Sequence, residues 1–179
     1  TYFLSRSQPP YFFMMLELLV ETLQNDNLIA QYLPILEKEY QYWMNPKEQK
    51  IIEFPDNVFL NRYFDKKNEP REESYSIDIE DKAKSKNPKF YQDIRSACES
   101  GWDFSSRWFE DPKDISTIET SHIIPVELNS LLLKLEQFLG KSFKTYTNNP
   151  EKSEFYLNAA QKRHIAIDKY LWNKQENRY

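Results

Sequence analysis

The chain has 179 residues, 40% of them hydrophobic and 16% aromatic, with a formal net charge of -4. That length fits one ordinary domain or a piece of a larger one, and the aromatic share is enough to build a sizeable core, which excludes disorder throughout. The mild acidity excludes nucleic acid as the main partner, because a phosphate-binding face needs a local excess of Lys and Arg; here Lys66-Lys67 and Lys82 to Lys89 are interleaved with Asp65, Glu69, Glu80 and Asp81.

The first predicted helix follows Pro9-Pro10, a good helix start, with Phe12, Met15, Leu16, Leu19 and Leu23 recurring at three and four. The apolar run Tyr11 to Val20 is too short to cross a bilayer, contains Glu17 and has no leader-like flanks. Membrane association and compartment stay open, since a targeting segment can lie upstream of Thr1. Cys98 is the single cysteine, so an internal disulfide is excluded; that suits a reducing compartment without demanding one.

Asn25-Asp26-Asn27 reads as a turn that supplies a cap to a second helix with Leu28, Ile29, Tyr32, Leu33, Leu36, Tyr40 and Trp43 on one face. Pro34 inside it marks a kink or the true first turn. Ile51-Ile52 and Val58-Phe59-Leu60 flank Pro55-Asp56-Asn57, predicting two short extended pieces around a turn. Helices are predicted near 73–84 and from Pro88 to about 99, then a long aromatic and acidic connection to 125. A fifth helix over 126–139 carries Leu128, Leu131, Leu132, Leu135, Phe138 and Leu139, with Gly140 as its stop. The last, about 150–173, carries Phe155, Leu157, Ala160, His164, Ile165, Ile167, Tyr170 and Leu171. The pattern is all-α, six helices in three sequential pairs, compatible with a bundle, a solenoid or part of an α/α barrel. No fixed-period repeat supports a regular solenoid.

Three stretches stand out chemically. In Glu99-Ser100-Gly101-Trp102-Asp103-Phe104-Ser105-Ser106-Arg107-Trp108, one of only two glycines precedes a carboxylate flanked by aromatic rings. Such rings stack on sugar faces and desolvate a carboxyl, keeping it protonated for donation to a leaving oxygen. The competing reading is that Asp103 caps a following turn and the rings are core. Arg6-Ser7-Gln8 before the two prolines offers donors and acceptors for a polyhydroxyl ligand, or is a surface loop before a helix. In Pro70-Arg71-Glu72-Glu73-Ser74-Tyr75, Arg71 and Glu73 bind hydroxyls or hold each other, or Glu72 and Glu73 simply sit at a helix N-terminus. His122 and His164 are far apart, with no metal-site spacing.

These same residues carry a resemblance to the trehalase family. The blocks are Tyr2 to Pro10, Leu33 to Met44, Leu60-Asn61-Arg62-Tyr63, Arg71 to Tyr75, Glu99 to Trp108 and Ile123 to Asn129, in family order. Departures are Glu72, where the family has proline, and Glu127, where it has aspartate. The resemblance implies about half of an (α/α)6 toroid, with residues 1–179 forming the central portion of one catalytic domain. It implies trehalose as substrate and an anomer-inverting acid/base reaction needing no metal or cofactor. Asp103 corresponds to the catalytic acid. Arg6, Ser7, Gln8, Arg71, Glu72, Glu73 and Gly101 correspond to substrate-binding positions, Glu72 being the one that departs. The family's flanking blocks do not occur here and the general base belongs to one of them, so the 179 residues alone are expected to be inactive. The alternatives are a non-catalytic helical binding module, or an (α/α)6 glycosidase acting on another sugar.

Overall fold

A computed structural model describes residues 4–55 and 57–179. Tyr2 and Phe3 of the first resemblance block, and Asp56 of the predicted turn, lie outside the described residues. Six α-helices are present among the described residues: α1 (Phe12–Leu23), α2 (Asn27–Trp43), α3 (Tyr75–Lys84), α4 (Phe90–Ser100), α5 (Val126–Tyr146) and α6 (Pro150–Tyr170). They touch in consecutive pairs, α1 with α2, α3 with α4, and α5 with α6. The predicted extended pieces form an antiparallel hairpin of β1 (Ile51–Phe54) and β2 (Val58–Asn61), registered from Ile51 opposite Asn61 to Phe54 opposite Val58. Among the described residues no helix is long and apolar enough to cross a membrane.

The chain gathers into two compact units. One comprises Pro10–Pro46, Ile51–Asn61 and Val126–Tyr179. Its core is the predicted face of α2, with Ile29, Leu33, Leu36, Tyr40 and Trp43 buried. Asn25 Oδ1 accepts from Asn27 N (3.2 Å), while Asp26 at the cap position makes no side-chain cap bond. Pro34 sits in the middle of α2 rather than in its first turn. It removes the donor to the Ala30 carbonyl, and both Ala30 and Pro34 lie on the exposed side of the helix.

Two helix faces differ from the sequence pattern. In α1 the buried residues are Phe13, Leu16 and Val20, whereas Met15, Leu19 and Leu23 are exposed. Nearly every position there is apolar, so periodicity cannot select a side. In α6 the buried stripe is Ser153, Tyr156, Ala160, Arg163 and Ile167, and Phe155, Leu157, His164 and Ile165 face out. A buried arginine displaced the hydropathic choice.

Gly140 does not stop α5; the helix continues to Tyr146, and Asn149 then caps α6 by accepting from Lys152 N (3.0 Å). The glycine is instead where α5 and α6 approach closely. A Cβ there would stand 2.7 Å from Leu157 Cγ and 3.2 Å from the Ser153 carbonyl oxygen, so the missing side chain is a packing requirement.

Glu39 on α2 has a buried oxygen, Oε2, with no hydrogen-bond donor among the described residues. Burial pushes its carboxyl up from 4.5 to about 7. The folded chain therefore keeps a proton that the unfolded chain releases, and stability falls as pH rises through that window. Glu39→Gln is expected to stabilise the protein above the window by about 1 kcal/mol, allowing for partial exposure, and to do nothing below it. Thermal melts of both forms across pH check this, and equal melts on the alkaline side would refute it.

The other unit draws on residues up to Pro9, on Lys47–Lys50 and on Arg62–Pro125. Here α4 is buried on almost every side, including Gln92, Asp93, Arg95, Ser96, Glu99 and Ser100. The connection after it is built of short 3-10 turns at Ser106–Trp108, Ile115–Thr117 and Thr120–His122. They are tied by Glu119 N to the Trp108 carbonyl (2.8 Å) and Glu110 N to the Thr117 carbonyl (3.1 Å). Trp108 and Ile118 form the core beneath.

Candidate active site

The candidate site residues Arg6, Ser7, Gln8, Arg71, Glu72, Glu73, Gly101 and Asp103 all lie in this second unit. Asp103 is presented by the end of α4. Gly101 leaves the helix at φ 72, a left-handed turn that glycine adopts without strain. Ser100 Oγ accepts from Trp102 N (2.9 Å), and the Trp102 carbonyl accepts from Ser105 N (3.0 Å) and from the Trp108 indole (2.9 Å). Phe104, at φ 57, completes the turn. The loop is thus over-determined, with Asp103 at its tip.

Asp103 does not cap the turn that follows; Ser105 does, accepting from Arg107 N. Among the described residues no hydrogen bond or ion pair engages the Asp103 carboxylate, and the residue is exposed. The expected aromatic enclosure is only partly built. Trp108 turns into the core, edge-on to Tyr63 with ring centroids 6.0 Å apart, because its indole N–H is spent on the Trp102 carbonyl. Trp102 stands 49% exposed with the Arg107 guanidinium 4.2 Å over its ring.

The Arg6 and Arg71 segments meet here. Arg6 Nη1 pairs with Glu73 Oε1 at 2.8 Å, the arginine side chain being almost fully buried. Burial by itself would raise the Glu73 carboxyl; the hydrogen bond and charge of Arg6 outweigh it and hold the group below its ordinary value. Arg71 forks onto Asp78, with Nε and Nη2 at 2.6–3.2 Å, and its backbone N–H donates to the same carboxylate (2.8 Å). Its Nη1 reaches Cys98 Sγ at 3.3 Å, and its guanidinium lies 4.8 Å over the Phe104 ring. So Arg71 and Glu73 do not hold each other; each has another partner.

Cys98 reveals what converges. Burial pushes its thiol up, Arg71 opposes, the Asp103 carboxylate adds to the rise and Arg6 opposes again. Arg6, Arg71 and Asp103, separated widely in sequence, are therefore within electrostatic reach of one half-buried sulfur.

The remaining predicted residues behave differently. Gln8 and Gly101 are exposed. Glu72 accepts from Arg95 Nη2 (3.0 Å) and Lys67 Nζ (3.4 Å). Its own backbone N–H and Arg95 bring its carboxyl down to about 2. Both acids sit in the turn leading into α3, so the helix N-terminus reading holds alongside the ion pairs. Ser7 donates both N–H and hydroxyl to Glu99 Oε1, at 2.9 and 2.7 Å. Sequence reasoning did not find Lys50 or Arg95 as members of this cluster. Both are buried cations, and hydropathy places such residues at the surface. Among the described residues no three His, Cys, Asp or Glu side chains gather as a metal site.

An unengaged carboxylate at the tip of a tightly bonded turn and two ion-paired guanidiniums thus lie in one unit, a donor and acceptor set able to meet the hydroxyls of a polyhydroxyl ligand. The trehalase family model matches residues 1–179, and the chain belongs to that family. It is similar to the periplasmic trehalase of Escherichia coli O139:H28 (strain E24377A / ETEC), 42% identical over 190 aligned residues, covering 100% of this chain and 33% of that protein. The periplasmic trehalase of Shigella flexneri is 41% identical with the same coverage. The chain spans about a third of the length of the curated relatives it matches.

Proposed function

We propose that residues 1–179 are the central portion of a trehalase catalytic domain, about half of an (α/α)6 toroid, and that the protein hydrolyses α,α-trehalose to two glucose molecules. What supports this is the family match over residues 1–179, together with an exposed Asp103 on the turn whose Phe104 ring lies under the Arg71 guanidinium.

Asp103 is the acid. It protonates the glycosidic oxygen as the bond to the anomeric carbon breaks, while a water activated by a carboxylate outside this chain attacks from the opposite face. The two carboxyl groups stand roughly 6.5–9.5 Å apart in that geometry, leaving room for the water. Sugar rings bound against Trp102 and Phe104 exclude water from the Asp103 tip while the proton is transferred. Arg6 and Arg71, held by Glu73 and Asp78, have donors directed by their ion pairs and need little reordering to meet hydroxyls. An acid and a base suffice for this step, so it needs no metal.

The test is product analysis on the full-length protein. Trehalose is expected to be cleaved in preference to other glucose disaccharides. Proton NMR at early times is expected to give α- and β-glucose in equal amounts, one retained from the leaving sugar and one inverted. Only α-glucose would overturn inversion. Cleavage of another disaccharide instead would make the protein an (α/α)6 glycosidase of different specificity, and binding without cleavage would make it a binding module.

A further inference from the structure

Between the two predicted segments lies a buried charge cluster with no part in the chemistry above. Glu99, on the last turn of α4, has a fully buried side chain, and its ion-pair partner Lys50 is 1% exposed. Lys50 Nζ is 2.6 Å from both carboxylate oxygens and 2.6 Å from the Phe64 carbonyl oxygen. Glu99 Oε1 also accepts from Ser7 N and Ser7 Oγ, and Oε2 accepts from Phe64 N at 3.0 Å. One carboxylate thus collects three separate stretches of chain. Ser7 spends both of its polar hydrogens there.

We infer that Glu99 and Lys50 are positioning residues that set the Arg6–Gln8 segment in register with Asp103, and that Ser7 serves this link rather than the sugar. The inference rests on the trehalase reading for its catalytic consequence, but the link itself is a matter of geometry. From Ser7 the connection runs through the Glu99 carboxylate into α4, through Ser100 Oγ to Trp102 N, and so to the Asp103 tip. On its other side the same segment is fixed by Ser5 Oγ donating to Asp65 Oδ2 (2.8 Å) and by Arg6 pairing with Glu73 (2.8 Å). A buried ion pair is a poor source of net stability, since apolar residues of similar volume serve as well. Its value is a single geometry, which reacting groups need to within a fraction of an ångström.

The experiment uses the full-length protein with Ser7→Ala, Glu99→Gln, the two combined, and the paired replacement Lys50→Met with Glu99→Leu. A positioning role predicts that each single variant lowers kcat/KM for trehalose, by up to roughly 100-fold. It predicts that the Ser7/Glu99 double variant is no worse than the more damaged single one, because both break the same link. A sugar-binding Ser7 would instead give multiplied losses, and that result overturns the inference. The paired apolar replacement removes the ion pair but leaves Ser7 N, Phe64 N and the Phe64 carbonyl without their partners, so it is expected to lower the thermal midpoint, lose activity, and accelerate hydrogen exchange at residues 5–8. A retained midpoint with full activity and unchanged exchange would equally overturn it. Exchange is read without substrate, so if the wild type cleaves no trehalose the functional reading falls while exchange alone still decides the link.

Discussion

Asp103→Asn in the full-length protein is expected to lower kcat for trehalose by roughly 10²–10⁴-fold, the range that a positioned general acid supplies, while changing the affinity for trehalose little. The amide keeps the shape and the loop, because the turn is held by Gly101, Ser100, Trp102 and Ser105 rather than by the Asp103 side chain. What it removes is the proton, needed only as the glycosidic bond breaks, so the loss belongs to the transition state. Glucose release from trehalose and calorimetric binding of trehalose to the variant separate the two quantities. A variant that hydrolyses trehalose at the wild-type rate would remove Asp103 from the mechanism. A variant that folds but no longer binds would make it a ligand-holding residue instead.

The sequence made one half of this site visible and hid the other, for a physical reason. The turn residues Gly101 and Asp103, the proline-led segment of Arg6, and the acids before α3 are unusual in composition or position, and local chemistry singles them out. The residues that hold them in place do not stand out. Arg95 donates to the Glu69 and Pro70 carbonyls (each 2.8 Å) and to Glu72 (3.0 Å) from a fully buried position. Lys50 and Glu99 are buried against each other. Each reads from hydropathy as a surface residue, since the favourable partner is far away in sequence. The same rule explains the helices. The face of α2 was legible because polar residues alternate with apolar ones there. That of α1 was not, because the run is apolar all round. In α5, Gly140 reads as a stop from its residue type alone, and only the packing of Leu157 against it reveals a contact requirement.

Arg163 in α6 is where this blindness has its largest energetic consequence. Its Nε and Nη2 contact the Glu136 carboxylate at 2.9–3.1 Å, and its Nη1 donates to Asn61 Oδ1 and Asn129 Oδ1, each at 3.0 Å. Asn129 in turn accepts from Asn61 N and donates to the Asn61 carbonyl, both at 2.8 Å, so the cluster joins α5, α6 and the end of β2. Arg163→Met is expected to cost about 3–5 kcal/mol, because it leaves Glu136 buried without its cation. Burial already pushes the Glu136 carboxyl up, against the opposing effect of Arg163. With the guanidinium gone the carboxyl rises further and takes up a proton more easily, so the deficit should shrink in mildly acidic solution. Adding Glu136→Leu removes the stranded charge and is expected to recover most of the loss, even though a second native group has been deleted. Urea unfolding of the full-length protein, its single variant and its double variant checks all three expectations. A single-variant loss below about 1 kcal/mol, the scale of an exposed pair, would mean that water reaches Glu136 and that the cluster is not sealed as its geometry indicates.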